Sequence, residues 1–299
     1  MAHLLELTTQ GDVGTLADPA KLGAIRLMDP QALYELWERQ PWSAHAIDLE
    51  RDRADWAALS AQDKQDIAWS LSSFFVGEER VTTQFSGLVM AYETQSEEAF
   101  LTTQQVDEAR HAQHFDRFYD QVLGLDDTFE RRLEAARRQV SADFLTLFDG
   151  HLVEAGRALI ADPRNLGAKV DFVTTYHMVI EGTLALTGQH FITRTFEELD
   201  ILPGFTAGFR RIATDEHRHV AYGTWFLQQK AADPGIRRRI AERLMVLLPT
   251  AAGVLVPPGA DPRHWTLLGY DSEEINAFAF TALSRRLKVI GVDLAAAAA

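Results

Sequence analysis

Two copies of one acidic motif constrain this chain more than any other feature of its sequence. A helical stretch with a single candidate glutamate precedes a stretch with Glu-x-x-His, and the same order occurs again later in the chain. The six side chains are Glu78, Glu108, His111, Glu181, Glu216 and His219. Residues three apart on an α-helix project from one side, so a glutamate and a histidine at that spacing can reach the same metal ion. The duplicated order predicts a helical bundle with two metal ions in its interior.

Helical patterns cover most of the remaining sequence, and the turns between them are short. Ser60 and Ser96 are the expected N-caps of the first two long helices. The predicted helices span about 60–94, 96–123, 128–140, 141–161, 167–199, 204–232, 236–257 and 272–289. No linker separates two domains. We therefore expect one all-α domain over residues 1–299, a four-helix bundle core with additional flanking helices, with about 25 N-terminal and 10 C-terminal residues flexible.

The amino-acid composition excludes some kinds of catalytic and metal site and argues against some partners. The chain has 299 residues, no cysteine and a formal net charge of -14. The lack of cysteine excludes disulfides, thiolate metal sites and cysteine nucleophiles, and oxygen donors with one imidazole per ion favour Fe and Mn. The acidic balance argues against a nucleic-acid partner. Neither a signal-peptide pattern nor an apolar span long enough for a bilayer is visible, so the expected location is cytoplasmic.

Either of two adjacent glutamates, Glu78 or Glu79, could be the first metal ligand. Glu78 shares its helical face with core-type residues such as Leu71, Val81 and Phe85. Glu79 shares its face with mostly polar residues, which suits solvent. Glu78 is therefore the predicted ligand, and Glu79 is the predicted surface charge.

Four segments carry a family resemblance that extends from about residue 42 to 226. They are Gly77 to Thr82, Glu108 to His111, Tyr176 to Gly188 and Asp215 to Gly223. In these segments the chain resembles the ribonucleotide-reductase-small-subunit-like ligand-binding oxidases, a branch of the ferritin-like superfamily with a manganese/iron centre. The resemblance implies a ferritin-like bundle that holds one Mn and one Fe per chain, with Fe/Fe as a possible alternative. It also implies dioxygen as a reactant, a homodimer and an unidentified electron donor.

The resemblance also implies roles for individual residues. The first metal would take Glu78, Glu108 and His111, and the second would take Glu181, Glu216 and His219, with one or more carboxylates bridging. Asp215 matches an acid that orients His111. Trp42 matches a stretch that carries an electron-transfer tryptophan in reductase small subunits, and core packing is the alternative reading for it.

Two further family properties concern oxidation chemistry. Oxygen activation in the family forms an ether bond between a valine and a tyrosine, here Val81 and Tyr176. Tyr176 lies five residues before Glu181, roughly 140° away on a regular α-helix, so a π-bulge between them is needed to bring it to the metals. Family members also hold a long-chain fatty acid in an apolar tunnel. Aromatic residues that could line it are Phe74, Phe75, Phe85, Phe115, Phe172 and Phe191.

Other functions use the same bundle. A ribonucleotide reductase small subunit usually has a radical tyrosine four residues after the first ligand histidine, where this chain has Phe115, and needs a tyrosine in its C-terminal tail, whereas the last tyrosine here is Tyr270. Both features favour an oxidase over a reductase. A di-iron oxygenase without the cross-link, a ferroxidase or metal store, and a metal-free scaffold remain as alternatives.

Overall fold

Residues 26–294 are described by a computed structural model. Most of the termini for which we expect flexibility, residues 1–25 and 295–299, lie outside this part, so that prediction stays untested. The helices are α1 (Pro30–Glu38), α2 (Glu50–Ala58), α3 (Ala61–Met90), α4 (Gln95–Gln121), α5 (Phe129–Arg137), α6 (Ala142–Leu145), α7 (Val153–Ala161), α8 (Leu166–Val173), α9 (Leu186–Glu198), α10 (Pro203–Lys230), α11 (Pro234–Val254) and α12 (Ser272–Ile290).

Shorter elements connect these helices. A first π-helical segment, Thr146–Leu152, joins α6 to α7, and a second, Thr174–Ala185, joins α8 to α9. A 3₁₀ turn, Ala44–Ala46, precedes α2. Strands β1 (Thr266–Leu267) and β2 (Tyr270–Asp271) form a small antiparallel hairpin before α12. The prediction of an all-α ferritin-like bundle with flanking helices is confirmed, whereas the single-domain organisation stays a prediction.

Helix starts follow the expected capping chemistry, with one correction. Ser60 caps α3 as predicted, because its hydroxyl accepts a hydrogen bond of 3.1 Å from the backbone N–H of Asp63. The cap of α4 is Thr94 and not Ser96, since the Thr94 hydroxyl accepts from Glu97 N at 3.3 Å. Ser96 lies within the first turn. Two hydroxyl residues two positions apart offer alternative caps that the sequence alone does not separate.

The bundle core contains α3, α4, α10 and the continuous helical run from α8 through the second π-helical segment to α9. Phe75, Phe85 and Phe115 are fully buried in the interior that these helices enclose. Burial of such side chains is the main favourable contribution to folding. Within the described residues, no helix combines the length and apolarity needed to cross a membrane.

Specific contacts support the wide turn of the second π-helical segment. The Thr183 hydroxyl donates to Met178 O, five residues earlier, at 2.7 Å. A Cβ at Gly182 would lie 2.6 Å from His177 O, so only glycine fits there. The buried Arg286 of α12 donates from Nη1 to Gly182 O. The sequence-based inference of a π-bulge between Tyr176 and Glu181 is confirmed.

Candidate metal centre

The six side chains of the duplicated motif meet inside the bundle. They are Glu78 of α3, Glu108 and His111 of α4, Glu181 of the second π-helical segment, and Glu216 and His219 of α10. None has more than 6% of its surface exposed. Charged and polar groups buried this deeply need a partner that compensates for the loss of water. Their convergence is the condition that a dinuclear metal site requires.

Their donor atoms form two overlapping groups, in each of which all atoms lie within 4.8 Å of one another. The His111 group contains Glu78, Glu108, His111 and Glu216. The His219 group contains Glu108, Glu181, Glu216 and His219. Glu108 and Glu216 belong to both groups. Two shared carboxylates with one further carboxylate and one imidazole on each side form the ligand arrangement of dinuclear carboxylate bundles. Glu79 belongs to neither group and is partly exposed.

Both histidines turn the same ring nitrogen toward the carboxylates. His111 Nδ1 lies 3.3 Å from Glu78 Oε2. His219 Nδ1 lies 3.0 Å from Glu108 Oε1 and 3.1 Å from Glu181 Oε1. The opposite nitrogen, Nε2, faces an aspartate in both cases. An imidazole that donates from Nε2 presents the lone pair of Nδ1 to a metal ion.

Three donor atoms of the cluster have no hydrogen-bond partner although they are buried. They are His111 Nδ1, Glu181 Oε2 and Glu216 Oε2. Most buried polar side-chain atoms in folded proteins are satisfied, so three exceptions at one point require an explanation. Divalent cations bound by the two groups would accept all three lone pairs. The residues therefore fit a pair of metal ions.

The carboxylates of the cluster differ in how the protein shifts their acidity. Burial raises the pKa of Glu78 to about 8. Burial and the charge of Glu216 raise the pKa of Glu181 well above its usual value. Burial also opposes charge on Glu108, but hydrogen bonds and charge from the two histidines hold its pKa well below the usual range. Glu108 therefore favours its charged form, whereas the shifts of Glu78 and Glu181 favour their protonated forms.

The pKa values of the two histidines are raised, which favours the charged form of each ring. Burial lowers the pKa of both rings, but their partners outweigh it. The charge of Glu78 helps to raise the pKa of His111 well above its usual value. The hydrogen bond with Asp107 helps to raise the pKa of His219 in the same way. The cluster thus carries protons where a metal ion would otherwise supply positive charge.

Asp215 lies where the resemblance predicts it. Its Oδ2 atom is 3.2 Å from His111 Nε2 and accepts a hydrogen bond of 2.7 Å from the indole Nε1 of Trp42. The Trp42 ring also stacks on His111, with centroids 6.4 Å apart. Although burial opposes it, the hydrogen bond with His111 lowers the pKa of Asp215 to about 2. The half-buried Trp42 is therefore connected to the centre through one charged carboxylate.

Asp107 and Trp37 form an equivalent chain that the sequence analysis missed. Asp107 Oδ2 lies 3.3 Å from His219 Nε2, and Asp107 Oδ1 accepts from Trp37 Nε1 at 3.0 Å. The signal was present, because an aspartate precedes Glu108 as Asp215 precedes Glu216. Each ligand histidine is therefore connected to one aspartate and one tryptophan.

A buried arginine joins the two aspartates. Arg218 Nη2 donates to Asp107 Oδ2 at 3.0 Å and also to Asp215 Oδ1. Only 1% of Arg218 is exposed. Arg110 Nη1 adds a contact of 2.9 Å to Asp107 Oδ1. Two guanidinium groups thus compensate two buried carboxylates, which fixes the orientation of both histidines.

Tyr176 places its hydroxyl on the cluster. Its oxygen lies 2.5 Å from Glu108 Oε1 and also contacts Glu181 Oε1, so its single O–H donates to one of these two carboxylates. Gln104 Nε2 donates to the same hydroxyl at 3.1 Å. The wide turn of the π-helical segment makes the contact between Tyr176 and Glu181 possible, because a regular helix would turn the two side chains apart.

A cavity of about 880 Å³, a volume that includes solvent at its open end, leads from the cluster through apolar side chains. Val81, Tyr176 and all four glutamates line it. Apolar residues along its length include Phe74, Phe148, Ile180, Leu184, Phe191 and Leu267. Of the aromatic residues suggested for a tunnel, Phe74 and Phe191 line this cavity. The other four do not, and they are buried without exposure in the core: Phe75, Phe85, Phe115 and Phe172. Helical spacing alone does not separate core from lining residues.

Comparisons with known proteins found one family profile and several solved structures that match this chain. A family profile described as "Ribonucleotide reductase, small chain" matches residues 21–292. Two solved structures of R2-like ligand-binding oxidase variants with an anaerobically reconstituted Mn/Fe cofactor are 24% identical to the chain, one with leucine in place of a valine and one with phenylalanine in place of a glycine. Each alignment covers 89% of this chain. It covers 93% of the leucine variant, with a TM-score of 0.74, and 94% of the phenylalanine variant, with a TM-score of 0.75. A glycine-to-leucine variant with a non-activated Mn/Mn cofactor, 23% identical, has a TM-score of 0.75, with 89% of this chain and 93% of its own covered. These structures share the fold of this chain.

Proposed function

Because the chain belongs to the ribonucleotide reductase small-chain family, we propose that it is a dinuclear metal oxidase that activates dioxygen. The observation that carries this proposal is the pair of overlapping buried ligand groups. When bound, a metal pair supplies the redox chemistry that reduces dioxygen and oxidises a C–H bond. The protein supplies the ligands, their orientation and a pocket with apolar walls.

The His111 group would hold one ion, and the His219 group would hold the other, with Glu108 and Glu216 shared. Shared carboxylates reduce the repulsion between two nearby cations. Mn and Fe are the proposed metals, because each group offers oxygen donors and one imidazole and no thiolate. The related structures with Mn/Fe cofactors support this choice. Fe/Fe is the alternative pair.

Val81 and Tyr176 are the proposed partners of an ether cross-link. Both line the cavity beside the four glutamates. Forming the ether joins the Tyr176 oxygen to a side-chain carbon of Val81, so one O–H and one C–H bond break, and two protons and two electrons leave. With a metal pair bound, dioxygen would accept these two electrons and two protons together with two electrons from the metals and two protons from solvent, which gives two water molecules. The contact of the Tyr176 hydroxyl with Glu108 provides an acceptor for the phenol proton.

A long-chain fatty acid or a similar lipid-like molecule is the proposed ligand. The cavity has the character of small-molecule sites, which are mostly apolar with a few convergent polar groups, here the four glutamates. Its walls are mainly apolar, and its polar end is the metal cluster, so an acyl chain would lie along the walls with its carboxylate at the metals. A homodimer, an external electron donor and a cytoplasmic location stay predictions.

A ribonucleotide reductase small subunit is the second candidate. The hydrogen-bonded chain from Trp42 through Asp215 to His111 favours it, since it matches the electron-transfer stretch of those subunits. Phe115 argues against it, because the position four residues after His111 has no phenol to oxidise. Phe115 instead stacks on Phe74 with centroids 5.9 Å apart.

Aerobic and anaerobic reconstitution tests the proposal. Metal-free protein is loaded with Mn(II) and Fe(II) without oxygen, and half of the sample is then exposed to dioxygen. We expect about two ions per chain in both halves, and a Val81–Tyr176 peptide pair that has lost two hydrogens only in the oxygen-exposed half. Tyr176→Phe is the matched control, which should bind both ions and never form the linked peptide. Protein that binds no metal would contradict the proposal, whereas two ions without the link would favour the reductase or an oxygenase without cross-link.

A further inference from the structure

Trp37 and its contacts are not used by the proposed oxidation of Val81 and Tyr176. Among the described residues, Trp37 and Trp42 each donate an indole N–H to an aspartate that reaches a histidine of the cluster. The resemblance assigned an electron-transfer role to Trp42 only. Trp37 reaches the cluster through Asp107 and His219 instead of Asp215 and His111.

The two indoles differ in the groups that lie against their rings. The Arg110 guanidinium lies over the face of Trp42, 5.4 Å from the ring centroid. A cation in that position stabilises the neutral ring but opposes loss of an electron, which would leave a second positive charge beside it. Trp37 instead stacks on Tyr34, with centroids 6.1 Å apart. Arg110 is near both indoles, because its Nη1 atom also contacts Asp107 Oδ1, the oxygen that accepts from Trp37 Nε1. Trp37 is distinguished by the phenol against its ring, which can return an electron to it.

Tyr34 and Glu38 extend the chain toward solvent. Tyr34 is half-buried, and its hydroxyl donates at 3.1 Å to the exposed carboxylate of Glu38. A tyrosine hydrogen-bonded to a carboxylate can give up its proton when it loses an electron. The sequence of contacts from His219 through Asp107, Trp37 and Tyr34 thus ends where an external reductant can approach.

We propose that Trp37 is a second redox-active tryptophan, which supplies one electron to the His219 side of the centre through Asp107 and His219. The proposal rests on the dioxygen chemistry proposed above, and dioxygen is the oxidant. One electron leaves the indole, and the Nε1 proton stays in the hydrogen bond to Asp107. The product is an oxidised indole beside a carboxylate, whose charge compensates it. An electron from Tyr34 then restores Trp37, and the Tyr34 proton moves to Glu38.

The number of electrons that dioxygen needs explains why a route through Trp37 would be useful. Reduction of dioxygen to two water molecules takes four electrons and four protons. A bound metal pair would contribute two of the electrons, and solvent would supply the protons that no oxidised bond releases. When a C–H bond is oxidised, that bond contributes the other two. When no oxidisable bond is available, Trp37 and Trp42 contribute one electron each, one from each side of the centre. The two tryptophans thereby complete the reduction of dioxygen and protect the other residues of the site from oxidation.

The experiment uses the full chain with Tyr176→Phe, in which the phenol needed for the ether is absent. In that background we compare Trp37→Phe, Trp42→Phe, the double variant and Trp56→Phe, whose half-buried indole is a matched control. Anaerobically metal-loaded protein is mixed with dioxygen and freeze-quenched, and the tryptophan radical is measured by electron paramagnetic resonance. Metal content and unfolding temperature are measured for each variant.

We expect the radical signal to persist in Trp42→Phe, to decrease in Trp37→Phe and to disappear in the double variant, with no change in Trp56→Phe. Complete loss in Trp42→Phe alone, an unchanged signal in Trp37→Phe, or no signal in any sample would overturn the inference. Peptide mapping of the unsubstituted protein after repeated exposure to oxygen is an independent test. Oxygen adducts should be enriched at Trp37 relative to Trp56, and equal modification would contradict the proposal.

The unsubstituted protein separates this inference from the proposed function. If it binds no metal or consumes no dioxygen, the oxidase proposal fails. If it binds both ions and consumes dioxygen while Trp37 is never oxidised, only the second route fails.

Discussion

The His111 and His219 sides of the centre use the same ligand types on different backbones. On the His111 side the unshared carboxylate, Glu78, comes from the regular helix α3. On the His219 side it is Glu181, which comes from a π-helical segment and contacts the Tyr176 hydroxyl. A duplicated motif thus produces two unequal sites, because the wide helical turn brings a phenol to one unshared carboxylate and not to the other.

The aspartates behind the histidines differ as well. On the His111 side, the imidazole and the Trp42 indole share one oxygen of Asp215. On the His219 side, the imidazole and the Trp37 indole use separate oxygens of Asp107. Unequal surroundings of this kind are a physical basis for holding two different metals in one centre.

Removal of a carboxylate that belongs to both groups should have the largest effect on metal binding. Glu108 belongs to both ligand groups, so Glu108→Ala should abolish dinuclear binding. Elemental analysis after reconstitution should find about two ions per chain in the unsubstituted protein and a loss of the pair in the variant. Glu79→Ala is the control, since this carboxylate lies outside both groups, and it should retain both ions. Retention of both ions in Glu108→Ala would refute the assignment.

Substitution of the aspartates should have a smaller and one-sided effect. Asp215→Asn should weaken the ion at His111, and Asp107→Asn should weaken the ion at His219, because each removes the carboxylate that orients one imidazole. The expected loss of affinity is roughly 10–100-fold, measured by chelator competition with separate quantification of Mn and Fe. If both variants lost the same ion, the two sides would not be independent.

A change of pH should alter the metal affinity of both ligand groups together, and it should have the smallest effect of the three changes. Glu78, Glu181, His111 and His219 have raised pKa values in the metal-free protein. A raised pKa means that a group binds its proton more tightly, and an incoming ion must displace that proton, so metal binding should release protons and affinity should rise with pH. Each released proton changes affinity by about tenfold per pH unit, and the contribution of Glu78 should diminish above its pKa of about 8. Calorimetry in buffers of different ionisation enthalpy would measure the release, and proton uptake on binding would contradict it.

The sequence predicted the parts of the structure that depend on helical periodicity. Glu-x-x-His spacing and apolar faces identified the six side chains that converge, and the angle between Tyr176 and Glu181 indicated a π-bulge. These inferences succeeded because a buried helix has few orientations available. The choice of Glu78 over Glu79 followed from the same argument, and only Glu78 lies in a ligand group.

Features that depend on contacts between distant segments were not predictable in the same way. Trp37 lies 70 residues from Asp107, and nothing in its local pattern indicates that the two meet. The first π-helical segment and the hairpin before α12 also gave no periodic signal. Four of the six aromatic residues suggested for the tunnel lie in the core instead, since an apolar residue packed in the core and one lining a cavity have the same spacing.

Anomalous diffraction from crystals of the reconstituted protein, recorded at the Mn and Fe absorption edges, tests the central claim most directly. We expect two peaks about 3.5–4 Å apart, one beside His111 and one beside His219, with Glu108 and Glu216 contacting both. Metal bound at any other place, or a centre that remains empty at saturating Mn and Fe, would contradict it.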